Sequence, residues 1–121
     1  MAMPRPIPAV ATSYTGIFFW RKKIRGQFKD GIHSGDGIEY YETGAIMYNG
    51  QWTADRWSGF GTYYSEDGRL IYRGMYKDNH PHGKGIEYYK NGQMKYDGER
   101  SNGKWNGFGT KYFDTGIMMY R

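Results

Sequence analysis

Apolar and aromatic residues alternate with polar ones along much of the chain, with the period of two that is typical of half-buried β-strands. The even-numbered positions of two such segments are predicted to face the interior: Ile46, Tyr48, Gly50 and Trp52 in the first, and Leu70, Tyr72, Gly74 and Tyr76 in the second. A third segment places Ile38 and Tyr40 on one side of a strand and Glu39 and Tyr41 on the other. Residues 17–121 show no helical apolar periodicity, so an all-β fold is predicted.

Short polar segments that end in glycine separate the predicted strands. They read Glu-Asp-Gly at 66–68, Lys-Asn-Gly at 90–92 and Asp-Thr-Gly at 114–116. An acidic or amide residue beside a glycine is typical of tight turns that need a positive φ angle. Each pair of neighbouring strands is therefore predicted to form a β-hairpin.

Glycine and tyrosine recur with a step of 24 residues, which predicts a repeat protein. Four glycine series keep this step: Gly26, Gly50, Gly74 and Gly98; Gly35, Gly59, Gly83 and Gly107; Gly37, Gly61, Gly85 and Gly109; Gly44, Gly68, Gly92 and Gly116. Two tyrosine series do the same: Tyr40, Tyr64, Tyr88 and Tyr112; Tyr48, Tyr72, Tyr96 and Tyr120. The chain is accordingly divided into four hairpin repeats, 26–49, 50–73, 74–97 and 98–121.

A weaker alternation of 48 residues lies on top of the repeat. Residues 35–44 match residues 83–92, and residues 57–64 resemble residues 105–112. His33 and Pro81 stand at the position that Trp57 and Trp105 occupy in the other two repeats. Large exposed rings are therefore predicted in every second repeat only.

Glycine weakens a strand, so its recurrence at fixed strand positions needs a physical reason. Because glycine has no side chain, a tyrosine or tryptophan ring of the facing strand can lie flat over its backbone. With 13 Tyr and 19 Gly in 121 residues, the core is predicted to be thin and aromatic. Such rings can be buried while their polar groups stay near water.

The spacing Tyr48-x-Gly50-x-Trp52, then Gly59-x-Gly61, Tyr64 and Gly68, resembles the MORN (membrane occupation and recognition nexus) repeat. The likeness covers residues 24–121, with Ile24 and Arg100 standing where the family shows an aromatic residue. Three residues, where two are usual, separate Gly68 from Tyr72, as in bacterial and ciliate variants, and the extra one predicts a bulge or an altered turn. The resemblance implies an elongated, twisted, single-sheet antiparallel β-hairpin solenoid that has no enzymatic activity.

Charge is concentrated at the start of the chain. Residues 1–30 hold six basic side chains and one acidic one, whereas residues 31–121 hold eleven of each. The repeats are therefore neutral, and attraction to an anionic partner is expected only from the first segment. There is no cysteine, no apolar run long enough to span a bilayer and no secretion signal in the sequence, so a cytoplasmic location, with membrane or cytoskeletal association, is predicted.

The N-terminal segment is interpreted as two parts. Residues 1–13, with three prolines, are predicted to be a flexible arm, and residues 14–25 an aromatic and basic cap that covers the open end of the repeats. The alternative is that this cap binds anionic phospholipid, with rings at the interface and cations on headgroups. The residues that would do so are Phe18, Phe19, Trp20, Arg21, Lys22, Lys23 and Arg25.

Several kinds of chemistry find no support in the sequence. His80 and His82 flank Pro81, and only His33 could join them as a third imidazole, so no metal site is predicted. No phosphate-binding glycine motif and no recurring set of catalytic side chains is present, so neither a cofactor nor enzyme activity is predicted. Nucleic acid is disfavoured as a partner because the repeats are neutral.

The favoured interpretation is a non-catalytic scaffold that docks a partner protein on an aromatic sheet surface, because aromatic side chains dominate interface hot spots. The residues predicted to bind are Tyr41, Trp57, Tyr63, Tyr89 and Trp105. The sequence stops one residue before the next glycine of the series, so self-association by edge pairing through residues 117–121 is also predicted. A third interpretation is an antitoxin-like bacterial protein that neutralises its partner.

Overall fold

The computed structural model describes residues 18–21, 23–114 and 118–120, and it describes side chains for residues 23–114. These residues form one antiparallel sheet of ten strands in which every strand pairs with its neighbours in the sequence. The strands are β1 Phe18–Arg21, β2 Ile24–Lys29, β3 Ile32–Tyr40, β4 Ile46–Thr53, β5 Arg56–Tyr64, β6 Leu70–Lys77, β7 His80–Tyr88, β8 Met94–Ser101, β9 Lys104–Tyr112 and β10 Met118–Tyr120. The predicted all-β hairpin solenoid is confirmed. Nine strand spacings make the sheet roughly 43 Å across.

Two kinds of turn alternate along the sheet. The turns after β3, β5 and β7, the last two of which were predicted, have Gly44, Gly68 and Gly92 at φ near +90°, and the Gly68 N–H donates to the Ser65 carbonyl. Gly116 of the last predicted turn lies outside the described residues. The turns after β2, β4, β6 and β8 carry two successive positive φ angles, as at Ala54 and Asp55, which is the type I′ geometry that suits two-residue hairpins.

The second kind of turn also joins one repeat to the previous one. The Asp55 N–H donates to the His33 carbonyl at 3.0 Å, and the Asn79 N–H donates to the Trp57 carbonyl at the same distance. Each hairpin therefore packs on its sequence neighbour, as repeat architectures require. The predicted repeat boundaries fall inside β2, β4, β6 and β8. They therefore show where each 24-residue period begins and do not separate one hairpin from the next.

A ladder of directly paired glycines crosses the sheet from β2 to β9. Its members are Gly26, Gly37, Gly50, Gly61, Gly74, Gly85, Gly98 and Gly109. The rings of Tyr48, Tyr72 and Tyr96 lie over glycines of the following strand, and a Cβ at Gly37 would lie 2.7 Å from Nε1 of Trp52. The prediction that rings rest on bare glycine backbone is confirmed.

The inward direction predicted for Ile46 and Leu70 is wrong, because a bulge precedes each core tyrosine. Tyr63 pairs with Tyr72, but its neighbour Tyr64 pairs with Leu70, which leaves Ile71 as an extra residue. The same shift leaves out one residue before Tyr48 and Tyr96. The bulge reverses the faces beyond it: Leu70 joins Tyr64 on the opposite side, and Ile71 packs beside Tyr72. The bulge expected from the long turn spacing is thus confirmed.

The core is a single layer of aromatic side chains on one side of the sheet. The buried hydrophobic residues are Phe28, Tyr48, Trp52, Tyr72, Tyr76 and Tyr96. We call this side the aromatic face. Side chains alternate between the two faces along each strand. The opposite face therefore carries Asn49, Gln51, Thr62, Arg73 and Asp97.

Candidate docking surface

Two tryptophans of the aromatic face stack on core tyrosines in equivalent repeats. The Trp57 ring lies parallel to that of Tyr48, with centroids 4.4 Å apart and planes 3° apart. Trp105 stacks on Tyr96 in the same way, at 4.7 Å and 9°. Tyr48 is completely buried, whereas Trp105 is 36% exposed. The tryptophans are therefore both part of the core and part of the surface of this face.

A carboxylate fixes the orientation of each stacked indole. Nε1 of Trp57 donates to Oε1 of Glu39 at 3.0 Å, and Nε1 of Trp105 donates to Oε1 of Glu87 at 3.2 Å. Burial raises the pKa of Glu39, and the hydrogen bond from Trp57 partly opposes this rise. Each ring is thus held by stacking and by one directed hydrogen bond.

An open groove of about 300 Å³ lies between the second and third repeats, on the aromatic face. Aromatic rings form most of its wall, and it also touches an acid–base pair. Its lining residues are Trp57, Tyr63, Ile71, Tyr72, Tyr76, Asn79, Pro81, Glu87 and Arg100. A concave, mostly apolar site with a few polar groups is the usual form of a binding site.

Arg100 takes the strand position that Trp52 and Tyr76 fill in other repeats. Its side chain is only 10% exposed, and its guanidinium lies 5.2 Å from the centroid of the Tyr72 ring. It is paired with Oε1 of Glu87, and its Nη1 donates to the carbonyl of Gly103 at 2.7 Å. A cation therefore replaces a ring beside the groove and is neutralised there by Glu87.

The opposite face carries isolated exposed rings that the sequence analysis did not select. Phe60 and Phe108 occupy equivalent positions 48 residues apart and are 46% and 91% exposed. Met75 pairs with Phe60 across the strands, and Arg73 lies 5.9 Å from the Phe60 ring centroid. The exposed apolar side chains of residues 23–114 therefore lie mainly on this face, whereas the core rings of the aromatic face are buried and Trp105 is its exposed ring.

The structure brings some of the five predicted binding residues together. Trp57 and Tyr63 are neighbours with ring centroids 5.6 Å apart, and Trp105 lies on the same face further along the sheet. Tyr41 and Tyr89 lie at the turns, where their hydroxyls donate to the carbonyls of Tyr64 and Tyr112. Burial is the largest of the causes that raise the pKa of Tyr41 to about 12.

The groove also contains residues that the sequence analysis did not select. Ile71 reaches the groove only because of the bulge, and Arg100 was noticed only as a departure from the family pattern. Tyr72 and Tyr76 were predicted to face inward, which they do, and both line the groove although they are only 3% and 5% exposed. The substitution at Pro81 was the one signal in the sequence that could have located the groove.

The residues of the phospholipid alternative are only partly described. The side chains of Phe18, Phe19, Trp20, Arg21 and Lys22 lie outside the described residues. Nζ of Lys23 is 3.6 Å from Oε1 of Glu42, and Arg25 is exposed on the opposite face. The predicted arm at 1–13 also lies outside the description, and the cap at 14–25 is described only in part.

Residues 23–114 contain no group of three or more His, Asp or Glu side chains that could hold a metal ion. The two histidines around Pro81 lie on β7, and Nδ1 of His82 accepts a hydrogen bond from the Asn102 N–H at 3.3 Å. The described part of the chain has no helix of the length and apolar character that a membrane crossing needs.

Successive hairpins with a 24-residue step, three of them with a tyrosine over a glycine of the next strand, define a β-hairpin repeat protein. A family model described as MORN repeat matches the chain four times, at residues 25–46, 48–68, 72–94 and 96–118. These matches cover most of the sequence, so the chain belongs to the MORN repeat family. MORN repeats are in general modules that interact with proteins or membranes. No curated protein matches the chain.

Proposed function

We propose that this chain is a non-catalytic interaction module that docks a partner polypeptide on its aromatic face. The observation that carries the proposal is the open groove between the second and third repeats. In the described residues the aromatic layer is not covered by a second layer of structure. A stable sheet face of this kind usually packs against another element.

The groove has the composition of an interface hot spot. Rings of Trp57, Tyr63, Tyr72 and Tyr76 already lie in fixed geometry, so a partner would not have to order them on binding. Aromatic residues and arginine dominate the energetics of protein interfaces. Preorganised rings around a concave apolar site therefore favour a polypeptide ligand.

The test uses two substitutions that place a lysine on opposite faces. Ile71→Lys introduces a charge into the groove, at a position where the next repeat carries Lys95. Phe60→Lys places the same charge on the opposite face, where the next repeat carries Lys84. Both changes copy a residue that the repeat already accepts, so both variants are expected to fold.

Peptides selected on the wild-type protein from a random phage-displayed library would then be measured against both variants. We expect Ile71→Lys to weaken binding about tenfold or more, because it buries a cation in the interface of a groove that Arg100 already lines. Phe60→Lys should leave binding unchanged. Peptides that lose affinity only with Phe60→Lys, or a failure to select any peptide, would contradict the proposal.

The phospholipid alternative is tested in the same series by flotation with vesicles that contain phosphatidylserine. Flotation that weakens steeply with salt, together with no selected peptide, would favour the membrane interpretation over the docking one. Self-association through the C-terminal edge stays a prediction. A strictly monomeric particle at high concentration in light scattering would contradict it.

A further inference from the structure

The aromatic face has one place where a stacked ring is missing. Trp57 covers Tyr48 and Trp105 covers Tyr96 at 4.4 and 4.7 Å, but the equivalent residue beside Tyr72 is Pro81. Pro81 pairs with Tyr76 in the same way as Trp57 pairs with Trp52. The backbone frame is therefore the same in both repeats, and only the ring is absent.

The groove coincides with the place where that ring would lie. Trp57 is surrounded by four side chains: Tyr48, Tyr63, Tyr76 and Glu39. Advancing each by one 24-residue repeat gives Tyr72, Glu87, Arg100 and Tyr63, and all four line the groove. The cavity is thus the site of an indole that this repeat does not supply.

We infer that the groove over Tyr72 is a slot for a tryptophan side chain presented by a partner polypeptide. This inference rests on the proposed docking function and names the residue that the partner must contribute. The ligand ring would stack on Tyr72 as Trp57 stacks on Tyr48. Because Tyr72 is only 3% exposed, the Arg100 side chain, whose guanidinium lies 5.2 Å from that ring, would move aside to admit it. Its edges would meet Ile71 and Pro81, and Tyr63 stands where Glu39 accepts the indole N–H of Trp57.

The charges around the slot select an aromatic ring over a cation. The Arg100 guanidinium already lies 5.2 Å from the Tyr72 ring, so a second cation there would meet a like charge at close range. Glu87 is already held by Arg100, by Nζ of Lys95 at 3.6 Å and by Nε1 of Trp105, so its oxygens are already engaged when a ligand lysine arrives. A neutral flat ring gains stacking without either cost.

The direct test is a titration with N-acetyl-tryptophanamide, followed by backbone amide chemical shifts. We expect saturable shifts around Ile71 and Tyr72 with a Kd on the order of 1 mM, the range open to a ligand of this size. N-acetyl-lysinamide should bind at least about fivefold more weakly. The absence of saturable shifts at these residues, or equal binding of the lysine probe, would overturn the inference.

Pro81→Trp supplies the missing ring from within the chain and should abolish binding of the probe. Its matched control is Phe108→Trp, which adds an indole on the opposite face and should leave the Kd unchanged. The inference is wrong if Pro81→Trp binds the probe as the wild type does. Should Pro81→Trp fail to fold, Trp105→Ala serves instead: it opens a slot over Tyr96 that Glu87 and Lys111 border. This variant should add a second binding site, and no added site would overturn the inference.

The slot and the docking function can fail separately. Selected peptides that respond to Ile71→Lys but lack tryptophan and ignore Pro81→Trp would preserve docking on this face and refute the slot. Conversely, probe binding that Pro81→Trp abolishes, together with no selected peptide, would support the slot and refute polypeptide docking.

Discussion

Gly85→Ala tests the contact between core tyrosines and the glycine ladder most severely. Gly85 lies beneath the ring of Tyr72, which is only 3% exposed. A Cβ at position 85 would lie 2.8 Å from Cε1 of that ring and closer still to Cζ and Oη. Gly85 is not among the residues with positive φ, so alanine strains the packing and not the backbone. The substitution therefore isolates the ring-to-glycine contact.

The expected loss follows from two contributions. Forcing one extra carbon into a packed site costs about 1–3 kcal/mol. A ring that leaves the site altogether also forfeits about 1.5–3 kcal/mol of burial. Because the ring relieves the overlap by moving, the two costs do not add fully. We expect Gly85→Ala to lower the free energy of unfolding by about 2–4 kcal/mol.

The assay is urea unfolding followed by circular dichroism, arranged as a double-mutant cycle. Tyr72→Leu removes the distal ring atoms that a Cβ at position 85 would meet, so Gly85→Ala should cost much less in that background. Gly103→Asn is the control, since Gly103 has no neighbour within 4 Å of an added Cβ and its equivalent in the previous repeat, Asn79, already adopts φ +72°. An equal cost of Gly85→Ala in both backgrounds would refute the contact as the reason for glycine.

Three further predictions concern stability. Trp57→Ala should lower the free energy of unfolding by about 2–4 kcal/mol and Trp57→Phe by much less, because only phenylalanine keeps a ring on Tyr48; equal losses in urea unfolding would contradict this. Glu87→Gln should cost about 1–3 kcal/mol by leaving the Arg100 guanidinium buried without its carboxylate, and Arg100→Met should restore most of this loss in the double variant; no recovery would count against the pair. Burial raises the pKa of Tyr48 and of Tyr76 in the folded protein above the usual value. The stability that these protonated hydroxyls contribute is therefore complete below the unfolded pKa of about 10 and is lost as pH rises further. Urea unfolding at increasing alkaline pH should show this decline, and a constant free energy above pH of about 10 would contradict it.

The 24-residue period of glycine and tyrosine predicts most of the fold. Eight of the sixteen glycines in the series form the strand ladder, where a bare backbone lets a ring lie close, and tyrosines recur with the same period. The turn glycines also predicted their own geometry, as Gly68 and Gly92 show. Local chemistry and repetition agree in this chain, so the hairpins and their order could be predicted.

Positions beyond a bulge could not be assigned by alternation. One extra residue in the pairing reverses every later side chain, so Leu70 faces away from the core and Ile71 faces into it. The long spacing between Gly68 and Tyr72 predicted a bulge but did not predict which residue would be the extra one. A bulge location depends on the pairing of two strands, which one strand's sequence does not contain.

The candidate site was harder to predict than the fold. Two of its features could be read from the sequence: Tyr72, over which the ligand ring would lie, and Pro81, which stands where other repeats have tryptophan. The groove itself requires side chains from three consecutive repeats, from Tyr63 to Arg100. Arg100 interrupts an otherwise aromatic series, and only its contacts with Glu87 and Tyr72 explain how a cation is accommodated there.

A crystal structure of the protein grown with saturating N-acetyl-tryptophanamide would test the central claim most directly, namely that the aromatic face recognises a ring over Tyr72. We predict an indole stacked on Tyr72 at about 4.5 Å between centroids, the separation usual for stacked rings. An indole bound beside Phe60 or Phe108 on the opposite face, or an empty groove at saturation, would contradict it.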